Sequence, residues 1–366
     1  GIGINALRYN NAHYTVAIGF QAGENNTGGG ENTFLGTSTG FKNEVGTQNT
    51  YVGYQAGAYA SASYNTFVGR NAGLGGTSSA PYSSGTSNTA VGMRALAGFT
   101  TGYGNTAVGA ETLDAVTEGF YNIGIGPAAG GSITTGDHNI AMGYAAFDAA
   151  TTAGYTIAIG YQVLSAYTHG ENAYNIAMGS QTAYLKTSGR YNTYIGGINV
   201  AKADLTGQYN TYLGSYTNQY GTATSDTTLI GYQAGRYATG SYNTFVGADA
   251  GVGGTTSAPH SSGQNNTALG HSALKGFTTG VRNIAVGDQA AYRLTTGNYN
   301  VAIGDTSLAA AGMSGNHNVV LGYYAGGQIS SGEDNIALGR NSLAYSTTAN
   351  DNIAIGQYAS HRTGQY

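Results

Sequence analysis

Cysteine and tryptophan are absent from this 366-residue chain, proline occurs 3 times, and charged residues make up 8%. Without cysteine there is no disulfide, no thiol nucleophile and no thiolate metal site. Scarce proline and charge argue against a disordered linker, whose solubility normally rests on both, so the chain is expected to fold. The 13 basic and 17 acidic residues leave a formal charge of -4 and no basic stripe to neutralise phosphates, so nucleic acid is not an expected partner. No apolar run approaches the ~20 residues that span a bilayer, and membrane insertion is not expected in this segment. The opening GIGINALRYNNAHY has neither Met nor the pattern of a signal peptide, and reads as the start of an excised or processed segment.

Glycine (62) and tyrosine (31) fill the space left by these absences. The Gly closing the phrase Asn-Thr-Ala-Val-Gly recurs at Gly92, Gly109, Gly126, Gly143 and Gly160, at a step of 17 residues. With small stretches, twenty such rungs run from Gly19 to Gly356. A fixed period of this size marks a solenoid. The second and fourth positions of the phrase are Thr or aliphatic and aliphatic or Met, while the third differs in kind; this period-2 alternation is that of a strand. A second Gly, often in Thr-Thr-Gly, precedes each Asn by three residues, which predicts two short strands and two turns per coil. The expected fold is all-β, a parallel β-solenoid (β-roll) of about 17-residue coils, fibrous and homotrimeric, on the order of 90 Å long at ~4.8 Å per coil.

The first position is Asn32, Asn49, Asn65, Asn88, Asn105, Asn122, Asn139, Asn175, Asn192, Asn210, Asn243, Asn266, Asn283, Asn300, Asn318, Asn335 and Asn352, with Thr15, Thr156 and Thr227 as exceptions. In register these amides stack as a structural ladder bonding up and down the coils. A larger duplication of 178 residues relates GYQAGAYASASYNTFVG to GYQAGRYATGSYNTFVG, and divides the rod into units 1–180 and 181–366. Each unit holds one 23-residue step, giving loop insertions at 70–91 and 248–269. Pro81 and Tyr82 in one, Pro259 and His260 in the other, are the candidate display residues.

Columns two and four are assigned to the interior, which leaves a core of about two aliphatic side chains per coil. That is thin, and self-association is expected. Column three alternates between bulky and small zones, and its bulky members Phe34, Tyr51, Phe67, Tyr194, Tyr212 and Phe245 are the candidate inter-chain column.

NTAVGAETL, NIAMGYAAF and NIAIGQYAS resemble the head repeat of YadA-like trimeric autotransporter adhesins and the shaft repeat of phage tail fibres. The resemblance covers nearly the whole chain. It implies three parallel chains at a cell or virion surface, outside the cell, with an attachment role toward a surface glycan or receptor.

Chemistry-bearing residues are sparse. His138 and His317 share one slot many rungs apart, in a column otherwise filled by Tyr, and do not make a metal site. Glu111 with Asp114 and Glu333 with Asp334 have no Ca-loop spacing. No Gly-x-Ser-x-Gly elbow sits on a strand-to-helix turn. The expected protein is a non-catalytic fibre segment with no cofactor and no metal. Two alternatives remain: a self-assembling head-to-tail extracellular filament, suggested by the apparently uncapped ends, and, remotely, an ice-binding solenoid.

Overall fold

The computed structural model describes residues 1–170, 172–254 and 260–360. The chain divides into two compact units, Gly1–Met178 and Gly179–Tyr366, each a parallel β-solenoid. The first is built on β1 (Val16–Ile18), β2 (Thr33–Leu35), β3 (Thr50–Val52), β4 (Thr66–Val68), β5 (Thr89–Val91), β6 (Thr106–Val108), β7 (Ile123–Ile125), β8 (Ile140–Met142) and β9 (Ile157–Ile159), with the start of β10 (Ile176–Ser180). The second holds β11 (Thr193–Ile198), β12 (Thr211–Leu213), β13 (Thr228–Ile230), β14 (Thr244–Val246), β15 (Thr267–Leu269), β16 (Ile284–Val286), β17 (Val301–Ile303), β18 (Val319–Leu321), β19 (Ile336–Leu338) and β20 (Ile353–Ile355). Within each unit the strands pair in register with the next coil's, as Thr106, Ala107 and Val108 do with Ile123, Gly124 and Ile125.

Why all strands but β10 and β11 end after three residues is set by Gly. Gly109 has φ 137, a region L side chains rarely adopt, and a Cβ there would lie 2.8 Å from the Gly126 carbonyl carbon. Beyond it the chain alternates through left-handed residues that are not Gly, Glu111 at φ 55 and Leu113 at φ 50. This is where the expected second strand fails to form. The far side of each coil is a run of turns, paired from coil to coil by bonds such as Leu113 N–H to the Ala129 carbonyl at 3.1 Å. Among the described residues only isolated bridges such as Ala60 to Ser83 and Leu294 to Met313 stand there.

Thr-Thr-Gly has its own logic. In Thr117-Glu118-Gly119 three successive N–H groups converge on the Thr134 carbonyl at 2.9, 3.2 and 3.2 Å, and the Thr117 hydroxyl donates to the same oxygen at 3.2 Å. A concave run of amides of this kind normally cradles an anion; here the next coil's carbonyl fills it. Thr100-Thr101-Gly102 holds the Thr117 carbonyl in the same way.

The Asn column is bonded within each unit and buried except at Asn352, which is half-buried. Asn122 N–H donates to Asn105 Oδ1 at 2.9 Å, and Asn122 Nδ2 donates to the Gly136 carbonyl at 2.8 Å. The same backbone-to-amide bond links Asn49, Asn65, Asn88 and Asn139 to the Asn before each. In the second unit it links Asn210 to Asn192, and then Asn266, Asn283, Asn300, Asn318, Asn335 and Asn352 onward from Asn243. Asn32 and Asn175 are buried as well. The ladder is therefore mainly side chain to backbone. Amide-to-amide contacts, such as Asn122 Nδ2 to Asn105 Oδ1 at 3.2 Å, supplement it.

The sidedness assigned from sequence is reversed. Column three is inside: Phe34, Tyr51, Phe67, Tyr194, Tyr212 and Phe245 are buried within the chain and do not form an outward or inter-chain column. Columns two and four face out, with Ile123 and Ile125 each 38% exposed. A three-residue strand can send only one side chain inward, and across the narrow interior it meets residues of the turns. In the coil beginning at Asn105 these are Thr112, Leu113 and Val116, all buried. Full burial of Leu113 and Val116 contributes roughly 3 to 6 kcal/mol.

The bulky and small zones follow from this cross-section. Where column three is Phe34, Tyr51, Phe67 or Phe245, the facing left-handed position is Gly: a Cβ on Gly40 would lie 2.5 Å from Phe34, and one on Gly57 2.5 Å from Tyr51. Opposite Tyr194 and Tyr212 the left-handed residues are Ala201 and Asn218. Where column three is Ala90, Ala107, Ala158 or Ala268, the facing residue is Leu96, Leu113, Leu164 or Leu274, and all are buried. Leu96 at φ 51 and Leu113 at φ 50 adopt the same backbone as Gly73 at φ 52, so space and not torsion decides which residue stands there.

Candidate functional site

The outward face of the strands is apolar and regular. Val16, Ile18, Leu35, Ile123 and Ile125 in the first unit, and Leu213, Leu269, Ile284 and Ile353 in the second, stand exposed, while the column-four residues of β3, β4, β8, β9, β13 and β14 are half-buried and column two is Thr in ten of the strands. Exposed apolar side chains gathered on one face are unusual on a monomer.

Beside it runs a stack of rings. The residue preceding each Asn is left-handed whatever its type, as in Tyr121 (φ 53), His138 (φ 56) and Tyr155 (φ 55), and its side chain points away from the core. His138 stacks on Tyr155 at 4.8 Å and 7°, and Tyr155 on Tyr174 at 5.0 Å and 20°. With Ile140, Ile157 and Ile176 these three rings line an open groove of about 360 Å³. In the second unit Tyr191 stacks on Tyr209 at 5.3 Å, and Tyr299 on His317 at 5.3 Å.

The loop insertions fold back onto the wall. Ser83, buried, donates to the Phe99 carbonyl at 2.7 Å, and its counterpart Ser261 donates to the Phe277 carbonyl at 2.8 Å. Pro81 is exposed and Tyr82 half-buried, with the Lys42 ammonium 5.9 Å from the Tyr82 ring. His260 packs on the Tyr220 and Tyr237 rings at 5.8 and 5.6 Å. Pro259 lies outside the described residues.

Groups with acid–base capability are few and scattered. Among the described residues no three His, Asp or Glu gather where a metal could be held. His271 is the nearest approach to a catalytic set: its Nδ1 is 2.9 Å from Asp288 Oδ1, and its Nε2 is 3.4 Å from Ser272 Oγ. The serine contact is long for a hydrogen bond, and Ser272 is only 2% exposed, so its hydroxyl has no approach for a substrate carbonyl. A recess of about 440 Å³ near His13, Tyr14, Glu31, Gln48 and Tyr64 uses its carboxylate to accept from Gln48 Nε2 at 2.7 Å. Desolvation raises Asp148 from its ordinary value, against the opposing pull of a backbone hydrogen bond.

One cluster escaped the sequence reading. In the second unit Lys186 and Asp204 are both fully buried, with Lys186 Nζ 3.4 Å from Asp204 Oδ2 and 2.6 Å from the Gly207 carbonyl. The Tyr194 hydroxyl donates to Asp204 Oδ2 at 2.6 Å, and Gly207 N–H donates to Oδ1 at 3.0 Å. Burial lowers the Lys186 ammonium from its ordinary range, against the pull of Asp204; burial, then the Asp204 charge, raises Tyr194 well above the phenol range. The signal was present: Lys186 stands in the column that holds Phe99, Val116, Ile133 and Tyr167 in other coils, where a charge is out of place.

Among the described residues no helix is long and apolar enough to cross a membrane. In comparison with known proteins, the chain matches no family model, and no curated protein matches it.

Proposed function

We propose that this chain is a structural segment of an extracellular fibre, used for attachment at a cell or virion surface, in which copies pack side by side through columns two and four. The observation that carries the reading is the outward column four, aliphatic or Met in every strand of each unit and exposed or half-buried throughout. A globular partner rarely repeats at ~4.8 Å; a second copy of the same solenoid does, so its side chains interdigitate along the whole ladder. A homotrimer is the assembly that the resemblance to adhesin heads and tail-fibre shafts implies. Receptor or glycan contact then falls to the ring stack around His138, Tyr155 and Tyr174, whose flat faces suit a sugar ring.

Sedimentation equilibrium of the full chain tests the assembly. The expected mass is three times that of one chain, and replacing Ile123, Ile140 and Ile157 together by Lys should give monomers that keep the β circular dichroism. A wild-type chain that stays monomeric at tens of micromolar, on the scale of ordinary weak association, overturns the reading.

A further inference from the structure

We propose that Lys186 and Asp204 become joined by an amide bond that the folded chain forms by itself. The two residues sit on successive coils, 18 positions apart, with both side chains fully buried and Nζ 3.4 Å from Oδ2. Everything else within hydrogen-bonding distance suits the condensation of an amine with a carboxylic acid. The Gly207 carbonyl accepts one Nζ hydrogen at 2.6 Å, which fixes the orientation of the nitrogen. Gly207 N–H lies 3.0 Å from Oδ1, the oxygen on which negative charge develops as nitrogen adds to the carbon. The Tyr194 hydroxyl lies 2.6 Å from Oδ2, the oxygen that leaves. Tyr212 is engaged elsewhere, with Thr224 Oγ1 at 2.5 Å and Asn218 Nδ2 at 3.0 Å, so Tyr194 is the phenol at the reacting pair.

The step balances without any outside reagent. One proton passes from the Lys186 ammonium to Oδ2 of Asp204, leaving an amine and an acid. The nitrogen lone pair then attacks Cγ, and the new C–N bond forms with charge on Oδ1. The Cγ–Oδ2 bond breaks as Tyr194 passes its proton to the departing Oδ2–H, which leaves as water; the second Nζ proton returns to the Tyr194 oxygen, and the carbonyl reforms at Oδ1. Nothing is oxidised or reduced, and one water leaves. Confinement of the two groups replaces the activation that amide formation needs in solution, because their effective concentration far exceeds any attainable in water. The product staples neighbouring coils on the side that has no regular strand.

The test is the intact mass of the purified full chain, followed until it is constant. The expected result is one water less than the sequence mass, with trypsin giving a branched species that joins 95–190 to 203–236. Lys186→Met should retain the full mass, and Tyr194→Phe should lose water about a hundredfold more slowly, at the low end of what one proton donor supplies. Full mass in the wild type, with Lys186 open to acylation in denaturant, means a buried ion pair only and overturns the proposal. A lost water that maps to any other peptides overturns it equally. None of these readouts depends on the assembly proposed above.

Discussion

Asn122 illustrates what a single side chain does in this fold. Its Oδ1 accepts the Asn139 N–H at 3.0 Å, and its Nδ2 caps the Gly136 carbonyl, so one amide satisfies two backbone groups that are cut off from water. Asn122→Ala leaves both unpaired. Each orphan costs about 1 to 3 kcal/mol, and the expected loss is on the order of 2 to 6 kcal/mol, to be read from urea unfolding with amide exchange at residue 139 as the local probe. An unchanged exchange rate at that amide would show that the ladder is ornamental. Thr156 shows the milder alternative: its N–H still donates to Asn139 Oδ1 at 3.0 Å, but its own hydroxyl turns to the Gly154 carbonyl at 3.4 Å, a weak contact within the same coil.

Within a coil, the strand and the facing turn exchange volume. Phe67 faces Gly73, and one coil later Ala90 faces Leu96. Phe67→Ala alone is expected to cost about 3 to 5 kcal/mol as a cavity opens. Gly73→Leu alone drives a side chain into the ring. The double variant should recover most of the loss, with a coupling above about 1 kcal/mol in a thermal or urea double-mutant cycle; simple additivity would refute the exchange. This pairing also marks what the sequence did and did not disclose. The period, the Gly that ends each strand and the Asn column were legible because each is an identity repeated at one spacing. Sidedness was not, because alternation defines two faces without saying which is wet, and columns two and four look like a core by residue type. The match of Phe or Tyr with Gly, and of Ala with Leu, six places on carried the answer. The left-handed turns were hidden for another reason: Glu111, Leu113 and Tyr121 adopt positive φ without the glycine that usually announces it. The Lys186 cluster was hidden by the missing second strand, since only its column position reveals that the side chain points inward.

At the scale of the whole molecule, each solenoidal unit is a series of nearest-neighbour contacts, and its stability is expected to be local in the same way. Leu113→Ala should raise amide exchange in the coils carrying β5 to β8 and leave β1 to β3 near their original protection, as followed by exchange mass spectrometry. A uniform rise through the unit would mean that it unfolds as a single cooperative block.

The left-handed corner before each Asn has a consequence for how such a molecule changes over time. Tyr121, His138, Arg282, Asp334, Gln48 and Ser87 all occupy it, with φ between 53 and 58, so the backbone is indifferent to what it carries there. New surface chemistry can be written at that corner one line at a time, while the frame behind it keeps its spelling.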